Sequence, residues 1–291
     1  MQQLEKGIYF EDAYLGVTLG GFTLSHGVIL IDAPLRAEDA RTWRAALLNQ
    51  RVGSNRLLVN LDAHPDRTLG ARAMDCTVLA HQKTAHVFRS RPTIFKGQSV
   101  EAGADWEKYS EAVGMRWVPP DITFTDTMSL NWGGPEIVLE HHPGVSQGAI
   151  WAIVAAHQII FVGDTLISGQ PPFLDGADLA TWQEELDRLL TNYAGYRIIC
   201  GRGGLASNDD IRKMQSVVKK VARGVERIAK EADVPDATEE MVPILLSDYD
   251  FSPERLDAYS QRLRSGLFQY FARRFHPTTL LEQPRSEEIE Q

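Results

Sequence analysis

Residues 57–67 read Leu57-Leu58-Val59-Asn60-Leu61-Asp62-Ala63-His64-Pro65-Asp66-Arg67. The apolar run closing at Asn60 has the length and branching of a short buried strand. Its exit loop then places two aspartates, a histidine and an arginine within six residues. A helix is predicted to start near Thr68, an acceptable N-cap. Upstream, residues 14–24 and 28–31 read as strands, the second ending at Asp32-Ala33-Pro34, and 38–50 as a helix. Downstream, 77–80 reads as a strand and 82–118 as mixed helix and loop. Residues 122–124, 128–132 and 136–140 suggest an antiparallel meander, and 149–154 with 158–162 a hairpin. Residues 178–192 carry Leu179, Trp182, Leu186, Leu189 and Leu190 on one helical face. A last strand, 197–200, runs into Gly201-Arg202-Gly203-Gly204.

From 208 onward the pattern is helical. One stripe is Ile211, Met214, Val218, Val221, Val225 and Ile228; another is Leu256, Tyr259, Leu263, Leu267, Tyr270 and Phe271. Both read as packing faces. The expected organisation is therefore an α/β domain over 1–206, a helical extension over 207–283 packed on it, and a disordered acidic tail over 284–291.

Apolar residues make up 43% of the 291 and charged residues 24%, the balance of a globular chain with a full core. Thirty basic against thirty-nine acidic residues leave a net charge of −9, which argues against broad capture of nucleic acid or anionic membrane. No apolar run approaches the roughly 18 residues of a membrane helix. The N-terminus lacks a basic segment followed by an apolar one, so no signal peptide is expected, and with two cysteines the expectation is a cytoplasmic protein.

Three further strand exits collect polar residues: Pro143-Gly144-Val145 followed by Ser146-Gln147-Gly148, then Gly163-Asp164-Thr165, then Gly201-Arg202-Gly203. Together with 62–67 these segments resemble, in order and spacing, the metallo-β-lactamase superfamily. Its motifs are His-x-His-x-Asp-His, Pro-Gly-His, Gly-Asp and Gly-His-Gly, each following a strand. The resemblance spans roughly residues 8–206. It implies an αββα four-layer sandwich with a site at one sheet edge and a C-terminal helical extension.

The departures from the family pattern carry the functional reading. The resemblance assigns one metal to positions 62, 64 and 145. It assigns a second to 66, 67 and 202, with 164 bridging the two. Here Asp62 and His64 hold the first two positions, while Val145 has no donor. Asp66 and Asp164 survive, and both remaining imidazole positions are arginine, Arg67 and Arg202. Asp62, Asp66 and Asp164 crowded together would repel without a cation, since burying unpaired charge is costly. Two guanidinium groups supply that charge in a planar fork suited to carboxylates. If His64 is protonated, three positive groups balance three negative ones. On this reading the arginines take the second metal's place, and a conventional dinuclear zinc centre is not expected.

A competing reading keeps one divalent metal at Asp62, His64 and Asp164. That ligand set would suit manganese, iron or magnesium at least as well as zinc, with Asp66 catalytic if the site is an active hydrolase. His141 or His142 is a further candidate from the Pro-Gly turn, and His142 is placed with the cluster; otherwise one caps a strand end and the other meets solvent. His26, His81, His86, His157 and His276 read as structural. Cys200 reads as a buried strand-end thiol rather than a nucleophile.

Two functions follow from these readings. One is a metal-free, eroded scaffold whose Arg/Asp cluster is structural or binds a small anionic ligand, with the extension available for homo-oligomerisation. The other is a one-metal hydrolase acting on an ester, thioester or similar bond. Nuclease activity is disfavoured by the acidic charge and the missing histidines.

Overall fold

The computed structural model describes residues 1–50, 53–90, 102–112, 114–232 and 234–277; the acidic tail expected at 284–291 lies outside the described residues. The first sheet has seven strands in sequential order: β1 (Gln2–Glu5), β2 (Ile8–Glu11), β3 (Leu19–Leu24), β4 (Gly27–Ile31), β5 (Asn55–Asn60), β6 (Thr77–His81) and β7 (Ile122–Phe124). Strands β1 to β4 are antiparallel and β4 to β7 parallel. Helix α1 (Ala37–Leu48) makes the first parallel crossover. After β5 come the single-turn helices α2 (Pro65–Thr68) and α3 (Ala71–Met74), and after β6 comes α4 (Gln82–Ser90).

The second sheet runs β13-β12-β11-β10-β9-β8, comprising β8 (Thr127–Leu130), β9 (Ile137–His141), β10 (Ile150–Val154), β11 (Ile159–Phe161), β12 (Arg197–Ile199) and β13 (Leu205–Ala206). Only β11 and β12 pair in parallel, across the crossover helix α5 (Leu179–Thr191).

Side-chain alternation assigns the layers. Ile29, Ile31, Leu57, Val59 and Leu79 face Leu139, Ala152, Ile159 and Phe161 between the sheets. Val28, Leu30, Leu58 and Val78 turn outward onto Trp43 and Leu47 of α1. Parallel strands covered on both faces must be apolar throughout, which is why β4 and β5 carry unbroken Val/Ile/Leu runs. On the far side, Trp151, Ile153, Ile160 and Val162 pack under Trp182, Leu186 and Leu189 of α5. The same core takes in α6 (Asn208–Glu231), α7 (Met241–Leu246) and α8 (Leu256–Phe275). The architecture is an αββα sandwich with a helical C-terminal part.

Several expectations need correction. The hairpin β1–β2 had no apolar run to mark it, because Gln2-Gln3 is an exposed edge. Residues 14–18 are not strand: Gly16 sits at φ +77, a left-handed turn. The meander expected over 122–140 is split, since β7 extends the first sheet in parallel with β6 and only β8 and β9 pair antiparallel in the second. The helix expected from Thr68 begins three residues earlier, at Pro65. In the last stripe Leu256 is exposed. Among the described residues of α8, Arg262, 1% exposed, is a buried charge that no apolar pattern reveals.

Candidate functional site: a buried Arg/Asp cluster

The loops after β4, β5, β11 and β12 converge at one edge of the sandwich. Asp32 ends β4 with φ +60, a conformation that Asp tolerates better than most residues; its carboxylate accepts from Leu61 N at 2.9 Å and from Arg67 Nη1 at 2.9 Å. After β5, His64 caps α2: its Nδ1 accepts from Asp66 N at 3.2 Å, and Pro65 occupies the first helical position. This one turn aims Asp66 and Arg67 inward, each fully buried. Gly163-Asp164 follows β11 and Gly201-Arg202 follows β12. A Cβ at Gly201 would stand 2.3 Å from Asp164 Oδ1, so only glycine lets the two loops close on each other.

The two arginines form the centre. Arg67 donates through Nη1 to Asp32 and through Nη2 to Asp164 Oδ1, and its Nε lies 3.2 Å from Asp62 Oδ1 in ion-pair contact without hydrogen-bond alignment. Arg202 donates through Nη1 to Asp66 Oδ2 at 2.7 Å and through Nη2 to Asp164 Oδ2 at 3.1 Å, with Nε 3.3 Å from both Asp164 oxygens. Asp66 also accepts from Trp106 N at 2.7 Å and Asp105 N at 3.2 Å, so both its oxygens are engaged. Asp62 Oδ1 accepts from His64 N at 2.8 Å.

Phe173 closes the cluster. Its ring lies 4.4 Å from the His64 ring, and the guanidinium carbons of Arg202 and Arg262 lie 4.7 and 4.0 Å from its centroid. Arg262 reaches in from α8 and donates to the carbonyls of Gly103 and Pro171 and to Gln170 Oε1. Burial, and then the repulsion of Arg202, lowers its pKa to about 10.

The electrostatics differ from the expected balance. Burial would raise Asp164, but Arg202 and Arg67 override it and hold the carboxylate well below its usual range. Burial raises Asp62, against the pull of Arg67. His64 is not the third cation: burial and then Arg202 push it down to about 3. Its Nδ1 accepts from Asp66 N and faces Arg202 Nη2 at 3.2 Å, so that nitrogen carries no proton. The fourth carboxylate, Asp32, has the sequence context of a strand terminator, which gives no sign of its role here. Burial pushes it up to about 7, with Arg67 pulling down and Asp62 adding to the rise.

These shifts have opposite consequences for stability. Asp32 is raised above its ordinary 3.8, so its contribution is complete below about pH 4 and is lost as the pH rises through 7. His64 is lowered from 6.5, so its contribution is present above that value and is lost as the pH falls toward 3. Asp32→Asn removes the first contribution alone. Relative to wild type, the variant is expected to gain up to about 1.4 kcal/mol per pH unit between about pH 4 and 7. Urea midpoints at about pH 4, 6 and 8 measure this, and a constant difference would mean Asp32 does not titrate there.

The structure thus brings Asp62, His64, Asp66, Arg67, Asp164 and Arg202 together and adds Asp32, Asp105 and Arg262. It does not bring His142. That ring spends Nδ1 on Glu185 at 2.7 Å and Nε2 on Glu140 at 3.1 Å, stacked on Trp151, so it belongs to a separate network. His141 stacks on His81 at 3.9 Å. His142 is buried, while His141 remains partly exposed, its Nε2 bonded to the Gln147 carbonyl at the surface. Val145 is buried in the outer apolar core. Cys200 is buried and pushed up to about 12, its thiol bonded to the carbonyls of Arg202 and Gly204, so it is no nucleophile at neutral pH.

Residues 69–201 match the model of the metallo-beta-lactamase superfamily, a span that begins just after the first motif and includes the Pro-Gly and Gly-Asp turns, ending at Gly201. Among solved structures, a metallo-beta-lactamase family protein from Thermus thermophilus is 18% identical, covering 90% of this chain and 93% of its own at a TM-score of 0.64. The inverting sec-alkylsulfatase Pisa1 from Pseudomonas sp. is 12% identical over 97% of this chain and 51% of its own, at 0.66. A metallo-beta-lactamase from Pontibacter korlensis is 18% identical over 73% and 93%, at 0.53. No curated protein matches in sequence. The chain has the metallo-β-lactamase fold, and its residues 69–201 match that superfamily's model, with departures at the metal-motif positions.

Members of that superfamily usually bind zinc, and the donor set here does not fit a dinuclear centre. The carboxylates of Asp66 and Asp164 face guanidinium nitrogens, the His64 nitrogen toward the cluster faces Arg202, and position 145 lies in apolar packing. Among the described residues no three His, Cys, Asp or Glu side chains converge in a way that could hold a metal ion.

Proposed function

We propose that this protein is a metallo-β-lactamase-fold scaffold in which an Arg/Asp cluster stands in for the metals, and that it lacks conventional zinc hydrolase activity. One observation carries the reading. Arg67 and Arg202 lie fully buried between Asp32, Asp62, Asp66 and Asp164, where a metal would have to displace a guanidinium from each carboxylate it took. The cluster serves as structure rather than as an anion receptor, because its donors already face carboxylates and Phe173 covers it. It does so at substantial desolvation cost, which only dense pairing offsets. Among the described residues no helix is long and apolar enough to cross a membrane.

The test is elemental analysis of untagged protein purified without chelator, alongside Asp164→Ala. Substoichiometric zinc, manganese and iron are expected in both. Stoichiometric metal that disappears in Asp164→Ala would replace this proposal with a one-metal hydrolase at Asp62, His64 and Asp164.

A further inference from the structure

The cluster is sealed, but a cleft opens beside it. One cavity of about 560 Å³ lies between the Pro143-Gly144 turn, the start of α4, the first turn of α5 and the end of α8. A second, of about 250 Å³, lies between α5, α6 and α8. Asp178, Tyr270 and Arg274 line both, so the two adjoin. Their combined size falls in the usual range for small-molecule sites. No cluster residue lines either one.

The two ends differ in chemistry. Lys83, Arg273 and Arg274 line the larger cavity, against Asp178 as its acidic residue. Arg273 is positioned by the carbonyls of Asp175 and Ala177. Among the described residues neither Lys83 nor Arg274 forms an ion pair with a carboxylate, and Arg274 lies over the Phe275 ring. The N-terminus of α5 is not the attracting feature, because Asp178 already accepts from Ala180 N and Thr181 N. Ser146 Oγ, in a residue lining this end, is buried without a hydrogen-bond partner. The narrower end is walled mainly by Leu179, Ala180, Val218, Ala222 and Val225, with Lys219 and Glu226 as an additional cation and anion. On a chain of net charge −9, three cations against one aspartate at one end of the cleft contrast with the mainly aliphatic other end, where Lys219 and Glu226 balance.

We propose that this cleft binds a small amphiphilic anion, with a carboxylate or phosphate-monoester head among Lys83, Arg273 and Arg274 and an aliphatic tail between α5 and α6. The head would take charge-assisted hydrogen bonds, while the tail gains by burial. The site needs no metal, so its test is independent of the cluster's role.

Isothermal titration calorimetry in chelator, with monomeric octanoate, octyl phosphate, octylamine and inorganic phosphate, reads the proposal. At least one of the two octyl anions should bind, and which one is tighter identifies the head group. Octylamine and inorganic phosphate should bind at least about tenfold more weakly. Lys83→Gln with Arg274→Gln should weaken the anion by at least about tenfold without changing the thermal midpoint. Ala222→Phe should remove the advantage of an octyl over a butyl tail. Equal binding of octylamine, indifference to the double variant, or no binding of either octyl anion at millimolar concentration would each overturn the proposal.

Discussion

Arg202→Ala should cost about 3–5 kcal/mol of folding stability, the range seen when one partner of a buried ion pair is removed. The wild-type side chain is 1% exposed and is the guanidinium partner of Asp66; it shares Asp164 with Arg67 and lies against Phe173. Its loss leaves Asp66 with two backbone amides and Asp164 with Arg67 alone. The cost arises from carboxylates left without a counter-charge, and a well-packed apolar cluster would not incur it. Arg202→Met, which restores bulk, should therefore recover little. Arg202→Lys should recover part, since an ammonium keeps the charge but not the planar fork. The sign with pH follows from Asp164, whose pKa is depressed: the pairing stabilises above about pH 4 and is lost as the pH falls. The deficit of Arg202→Ala should accordingly shrink in acid. Urea midpoints read all of this, and a loss below about 1 kcal/mol, the range of an exposed pair, would mean the cluster is not a structural centre.

The second large effect is a gain. Arg67→His with Arg202→His and Val145→His restores an imidazole at three family positions while keeping His64, Asp66 and Asp164. Without metal, the triple variant loses both guanidinium groups from among four buried carboxylates, so it should be much less stable than wild type. Zinc should then bind with near-stoichiometric occupancy and raise the thermal midpoint, because a ligand that binds only the folded state stabilises it by mass action. Wild type should show neither response. Position 145 is the demanding one, since Val145 is 7% exposed in apolar packing and the imidazole must turn toward the cluster. A triple variant that folds with native circular dichroism yet stays empty would mean that more than the arginines keeps metal out.

Much of this was legible in the chain because strand and helix periodicities are local. The unbroken apolar run 57–59, the apolar strand 150–154 and the stripe from Ile211 to Ile228 state their burial within about a dozen and a half residues at most. Asp62, Asp66, Arg67, Asp164 and Arg202 were legible as a group only through their order at three strand exits. Asp32 was not, since one aspartate before Ala33-Pro34 is also an ordinary turn; its role depends on Arg67, thirty-five positions away. Nor was Arg262, a charged residue in an amphipathic helix whose expected place is solvent and whose actual place is against Phe173.

By itself, the sequence determined the layered sandwich, the sheet edge at which the polar loops gather, and the replacement of imidazole by guanidinium at positions 67 and 202. The tertiary structure decided which charges meet: that Asp32 joins and His142 does not, that His64 is neutral, and that Arg262 of the extension stacks on the Phe173 that closes the cluster, with a cleft beside it. The reason is physical. Secondary structure follows from contacts within a few residues, whereas the charge state of a buried group depends on every dipole and ion packed around it. Here those partners come from segments as far apart as residues 32 and 202.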